Sequence, residues 1–322
     1  MSLTWTIPTQ AEIAAARQRI ASVAVRTPLV RFDWDDGPAE IYLKLELLQP
    51  IRAFKLRGAY NAMAALDHAE IAAGVWTASA GNMAQAVAYA ARALDVPCTV
   101  YVPDTAPRTK INHAIRYGAR VVELPIMEWV QIFRDRGYEH ATGCFIHPYS
   151  DPAVIAGQAV CGLEIIEDLP TVDAIIAPYG GGGLCSGIAA VAKHHAPAVQ
   201  VWASEIDTGA PLGPSLAAGQ PVEVPYQPSF ADGIGNPFVN AEMFDLATSL
   251  RIRSHIVSRD ETANAARLLI SRNAIVPEGA AATALAAALS GAVPGKTIVC
   301  VISGGNIDPG TLNVILDGGT PD

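Results

Sequence analysis

The chain runs to 322 residues and 33.7 kDa, which at roughly 150 residues per domain allows two domains or one large α/β unit. Hydrophobic residues make up 51% and charged ones 16%, so a sizeable core can form and a disordered chain is excluded. Lys and Arg total 22 against 31 for Asp and Glu, and a surface of net charge −9 repels phosphate backbones and excludes nucleic acid as a partner.

In chain order, the pattern predicts strands over 41–45 and 75–77, a helix over 83–94, a strand over 98–102, a helix over 109–117 and a strand over 120–124. A helix over 153–169, a strand over 174–177, a helix over 184–194 and strands over 200–203 and 255–257 follow. Helices over 259–272 and 280–290 and a strand over 298–302 complete it. Short β-branched runs alternating with alanine-rich helical stretches argue parallel sheets covered by helices, the α/β class. No repeat and no low-complexity linker divides the chain, so a second domain is expected as an insertion. The uncharged run over 174–192 is long enough to span a bilayer, but it holds Pro178 and four consecutive glycines, and no membrane span is expected. The first 13 residues lack the basic and apolar regions of a signal peptide. Five scattered cysteines without a C-x-x-C pair read as reduced thiols in a cytoplasmic protein, and no Cys or His cluster suggests zinc.

Three segments carry residue types suited to a site. Ala53-Phe54-Lys55-Leu56-Arg57-Gly58-Ala59 reads by itself as the start of an amphipathic helix with two surface cations. Ser79-Ala80-Gly81-Asn82-Met83-Ala84-Gln85 lies between a strand and a helix. Its free backbone N–H groups suit a carboxylate, although an ordinary capped turn fits equally. Gly180-Gly181-Gly182-Gly183 again joins strand to helix, and four glycines allow successive N–H groups to cradle a phosphate. The spacing is neither G-x-G-x-x-G nor a P-loop, which disfavours a nucleotide. A fourth segment, Ser303-Gly304-Gly305-Asn306, follows the last strong strand, where ligands of α/β folds collect.

Together these motifs resemble the fold-type II pyridoxal-phosphate enzymes, within them the threonine/serine dehydratase and serine racemase branch. Arg26-Thr27-Pro28, Ala106-Pro107, Lys110, Ile146-His147-Pro148, Asp151-Pro152 and Ala231-Asp232-Gly233-Ile234 extend the resemblance over almost the whole chain. It implies two open parallel-sheet domains with pyridoxal 5'-phosphate in the cleft: a discontinuous large domain of residues 1–73 and 148–322, and a small inserted domain of 74–147. It implies that Lys55 holds the cofactor through its amine and acts as base, with Ser79 beside it in the catalytic set. Phe54 would pack on the ring, and Gly180, Gly181, Gly182 and Gly183 would bind the phosphate. Asn82 would meet the ring hydroxyl, Ser303 the ring nitrogen, and Glu278 would stand near the ring. Ser79, Gly81, Asn82 and Met83 would hold the substrate carboxylate. The implied reaction is α,β-elimination of a β-hydroxy amino acid such as threonine or serine to a 2-oxo acid and ammonia, by a homodimer. The alternatives are another amino-acid substrate, β-replacement chemistry, or a non-catalytic cofactor-binding protein.

The sequence departs from the family at four places. Ala53 replaces a serine, and Ala80 stands where the racemases carry a reprotonating serine. Met83 replaces a histidine, which with Trp129 would make the substrate surface apolar and favour a bulkier β-substituent; the alternative is that Met83 merely packs beneath the loop. Glu205 and Gly209 match a divalent-ion site as a remnant only, because its third position is Pro211; no metal is expected unless Asp207 substitutes.

Overall fold

The computed structural model describes residues 6–34, 37, 39–106 and 108–322, the side chains of Thr109 and Lys110 excepted; Pro107 and the Lys110 side chain of the family pattern lie outside them. Helix α1 (Gln10–Ile20) leads to β1 (Leu29–Arg31), β2 (Glu40–Lys44), α2 (Lys55–Ala64) and α3 (His68–Ile71). Then β3 (Val75–Ala78), α4 (Asn82–Leu94), β4 (Cys98–Pro103), α5 (Arg108–Arg116), β5 (Arg120–Leu124), α6 (Ile126–Asp135) and β6 (Cys144–Phe145) alternate. After them come α7 (Pro152–Asp168), β7 (Ala174–Pro178), α8 (Gly183–His195), β8 (Gln200–Ile206), α9 (Leu212–Ala218) and α10 (Ala241–Ser249). The chain finishes with β9 (Arg253–Val257), α11 (Arg259–Asn273), α12 (Gly279–Leu289), β10 (Thr297–Val301) and α13 (Pro309–Leu316).

The strands form two sheets, one of six strands in the order β1-β2-β10-β7-β8-β9 and one of four in the order β5-β4-β3-β6. Every pairing is parallel except that of β1 with β2 at the edge of the larger sheet, so both sheets are the parallel sheets expected apart from one edge strand. A short link returns the chain from β1 to β2 along one edge, which only an antiparallel pair allows without a crossover.

Side-chain alternation explains why the strands read as continuous apolar runs. In β7 and β10, Ile175, Ala177, Val299 and Val301 join one core with Ile188 of α8, while Ala174, Ile176, Ile298 and Cys300 join another with Leu285 of α12. Both faces of the larger sheet are therefore buried, as helix-covered parallel sheets require. The smaller sheet repeats the arrangement. Val75 and Val100 pack toward α2 and α4, whereas Trp76 and Tyr101 pack toward α6 on the other face.

Candidate active site

The turn that carries Lys55 is stitched to the loop beyond β10. Phe54 N–H donates to the Ser303 carbonyl at 3.0 Å, Ala53 bridges antiparallel to Gly304, and Gly305 N–H donates to the Arg52 carbonyl at 2.9 Å. Lys55 thus stands at the first turn of α2, beside the carboxyl end of a parallel strand. Its Nζ donates to the Pro148 carbonyl at 2.7 Å and lies 5.2 Å from the centre of the Phe54 ring. Desolvation lowers this amine to about 8, against an opposing pull from the Glu278 carboxylate. The positive end of α2 disfavours an ammonium in the same sense. Arg57 is not the surface cation that the motif alone suggested: it is 1% exposed and forks onto both Glu46 and Glu164.

The glycine tetrad joins β7 to α8, with Gly182 at φ +87° as the helix cap. Among the described residues, no carbonyl or side chain accepts from the N–H groups of these four glycines. Gly181 is demanded by packing. A Cβ there would stand 2.1 Å from the Tyr149 ring, whose hydroxyl donates to Asn240 at 3.1 Å. Tyr149 follows Pro148 directly, so one short segment touches both the lysine and the tetrad.

At the other strand–helix turn, Ser79 N–H donates to the Tyr101 carbonyl and Ser79 Oγ accepts from Gly81 N–H at 3.2 Å. No side chain caps α4, and a Cβ on Gly81 would meet nothing within 4 Å, so the turn opens onto free space. The amides of Asn82 and Met83 are among the first-turn donors that α4 itself does not satisfy.

Asn82 reaches across to the larger sheet. Its Nδ2 donates to both oxygens of Glu278 at 2.9 and 3.0 Å, and its Oδ1 accepts from Asn306 Nδ2 at 2.8 Å. Lys55, Asn82, Glu278 and the Ser303–Asn306 loop therefore meet in one place. Ser303 is buried there, 2% exposed.

Other expectations are corrected. The Met83 side chain is 2% exposed and belongs to the core beneath α4, so it does not form an apolar substrate surface; its backbone amide alone faces the turn. Trp129 lies on the opposite face of the smaller sheet, donating to the Tyr101 carbonyl at 3.0 Å, and cannot extend that surface. Glu205 is used as a helix cap: its carboxylate accepts from the amides of Leu212 and Gly213 at 2.7 and 2.8 Å and from Ser254 Oγ. The Gly209 carbonyl accepts from Asn236 N–H at 3.2 Å, and Asp207 is exposed. Pro148, Tyr149 and Asn306 enter the site without having been assigned a role. Asn306 had a signal, its place in the Ser303–Asn306 motif; Pro148 acts through a backbone carbonyl, which residue type does not reveal.

Chemically, a lysine that is partly neutral near pH 8 can attack a carbonyl carbon, and four successive free amides at the head of a thirteen-residue helix suit a phosphate. The residues fit a small ligand that carries both groups. A family model described as "Pyridoxal-phosphate dependent enzyme" matches residues 20–304. The L-threonine ammonia-lyase of Thermotoga maritima is 38% identical over 314 residues, 96% of this chain and 78% of its own. The catabolic L-threonine dehydratase of Escherichia coli K12 is 36% identical over 321 residues, 96% of each chain. The structure of maize serine racemase superposes with a TM-score of 0.87 at 30% identity, over 97% of this chain and 98% of that one.

Proposed function

The chain belongs to the pyridoxal-phosphate dependent enzymes, and on that premise we propose that it is an ammonia-lyase acting on a β-hydroxy amino acid of the threonine and serine class. The products are a 2-oxo acid and ammonia, the water lost in the elimination being taken up again in the hydrolysis that releases the ammonia. The observation that carries the reading is Lys55: an amine eased toward neutrality, joined through the Pro148–Tyr149 segment to a tetrad with four free amides.

Lys55, Phe54, Asn82, Glu278, Ser303 and Gly180 to Gly183 would hold pyridoxal phosphate. When bound, that group withdraws electrons from the substrate Cα and makes loss of its proton feasible. Lys55 is the base that takes this proton, because a neutral amine at pH 8 accepts one readily. The turn Ser79, Gly81, Asn82 and Met83 holds the substrate carboxylate on the free amides of α4, with the Ser79 hydroxyl beside them. Ala80 offers no exchangeable proton to the face opposite Lys55, so elimination proceeds with little inversion at Cα. We assign the chain to the cytoplasm as a homodimer, supported by the family pattern and by five cysteines without a disulfide. No helix among the described residues is long and apolar enough to cross a membrane. Residues 74–147, which contain the four-stranded sheet, form the small domain in this proposal.

The test is release of 2-oxo acid from L-threonine and L-serine by the cofactor-loaded chain and by Lys55→Ala. The native chain is expected to turn over at least one of them, and the variant neither. Absence of 2-oxo acid from both with the native chain would sink the proposal.

A further inference from the structure

We infer that Asn306 is a positioning residue for Asn82, determining which end of that amide faces the cofactor; this rests on the reading above that puts Asn82 at the ring hydroxyl. The orientation follows from a group that cannot change its role. The Ile51 backbone carbonyl only accepts, and the Asn306 side chain meets it at 2.9 Å, so the atom there is Nδ2. The same nitrogen lies 2.8 Å from Asn82, which makes the facing atom Oδ1. The remaining end of Asn82 is then its NH2, and it donates to both Glu278 oxygens. Reversing Asn82 would set its carbonyl oxygen against a carboxylate and its NH2 against another NH2, losing all three bonds.

Both ends of this relay are anchored. Ile51 is 1% exposed in the core beside α2. Asn306 N–H donates to Glu278 Oε2 at 3.3 Å, and Glu278 N–H donates to the Gly304 carbonyl at 3.0 Å. Gly304 passes so close that a Cβ on it would stand 2.4 Å from Glu278 Oε1, so the carboxylate has little room to turn away. Asn306 therefore holds Asn82 ready to donate. An ionised ring hydroxyl can only accept, so the reversed amide would repel it.

The experiment titrates the cofactor-free chain with pyridoxal 5'-phosphate, following visible absorbance, for Asn82→Ala, for Asn306→Leu and Asn306→Asp, and for each Asn306 change combined with Asn82→Ala. Neither a leucine nor an ionised aspartate side chain at 306 can donate a hydrogen bond, and thermal midpoints identify any variant that fails to fold, the other then carrying the test. Each single change is expected to weaken binding about tenfold, the size of one lost hydrogen bond, and to shift the absorption maximum in the same direction. In the Asn82→Ala background the Asn306 changes should add less than about twofold, because residues acting through one group are not additive. Unchanged binding in Asn82→Ala would overturn the placement of Asn82 at the ring, and this inference with it. Weakened binding there, with Asn306 changes that are silent or fully multiplicative, would overturn the role of Asn306 alone.

Discussion

Lys55 carries the pH behaviour expected of the site. Folded, its amine titrates near 8 because desolvation outweighs the Glu278 carboxylate, whereas an unfolded lysine holds its proton to about 10.4. Between those values the folded chain binds fewer protons, so it gains stability as pH rises, and below about 8 the full cost of burying the charge is present. The rate at which the cofactor-free chain captures pyridoxal phosphate should rise about tenfold per pH unit up to 8 and then level off, since only the neutral amine attacks. Glu278→Gln removes the group that holds the proton on, and the inflection should move to lower pH. Stopped-flow absorbance from pH 6 to 9 checks both, and a flat profile would exclude Lys55 as the attacking amine. Lys55 and Asn82 were assigned by the resemblance of their motifs, since alone one reads as a surface cation and the other as part of an ordinary capped turn, whereas four consecutive glycines between a strand and a helix already suit a phosphate. Met83 and Trp129 could not be placed. Whether a side chain lines a cleft or lies beneath it depends on which face of the smaller sheet it meets, and residue type carries no such information.

Elements were legible where their periodicity was long. The strands of the sheet centres are apolar on both faces, and α7, α8 and α12 are alanine-rich runs of eleven residues or more. Strand β6 was not legible: its two residues are held by pairing with β3, and Gly143 before it passes where a Cβ would stand 2.0 Å from the Gly74 carbonyl. Helix α6 has Ile126, Trp129, Val130 and Phe133 at helical spacing, and α1 has the Thr9–Glu12 capping box, so those signals were present but not used. At this scale the tetrad makes a direct prediction. Gly182 needs its positive φ, but Gly181 needs only space, so Gly181→Ala isolates the steric part. The new methyl would meet the base of the Tyr149 ring, which cannot swing away like the end of a flexible chain. Overpacking of this kind costs about 1–3 kcal/mol. The thermal midpoint of the cofactor-free chain should fall by several degrees and cofactor affinity should drop. Adding Tyr149→Ala should return part of the lost stability. Unchanged melting and affinity in Gly181→Ala would refute the packing of Tyr149 on the tetrad.

Across the whole molecule, the lysine-bearing helix is held by a buried set of charges drawn from three separate stretches. Arg57 of α2 binds Glu46 beyond β2 and Glu164 of α7, at 2.7 to 2.8 Å. Lys44 of β2 binds Glu164 at 2.7 Å and the Thr27 carbonyl at 2.6 Å, and Thr27 Oγ1 donates to Glu46 at 2.6 Å. Two cations face two anions, and all four side chains are nearly inaccessible. Burial alone would raise the Glu46 carboxyl, but Arg57, Thr27 and Lys44 outweigh it and hold it below the ordinary carboxylate value. A lowered carboxyl contributes stability that is fully present above the unfolded value and lost as pH falls through the folded one, so Glu46 belongs to the acid limb below about 4.5. Breaking one partner differs from replacing a pair. Glu164→Gln leaves two cations facing one anion in low dielectric, at a cost of about 3–5 kcal/mol. Glu164→Gln with Lys44→Met restores one cation to one anion and should recover much of that loss. Urea unfolding of the cofactor-free chain at pH 7 measures both. If the double variant is no more stable than Glu164→Gln, charge balance is not what this network contributes, and α2 owes its place to apolar packing against α4 and α7.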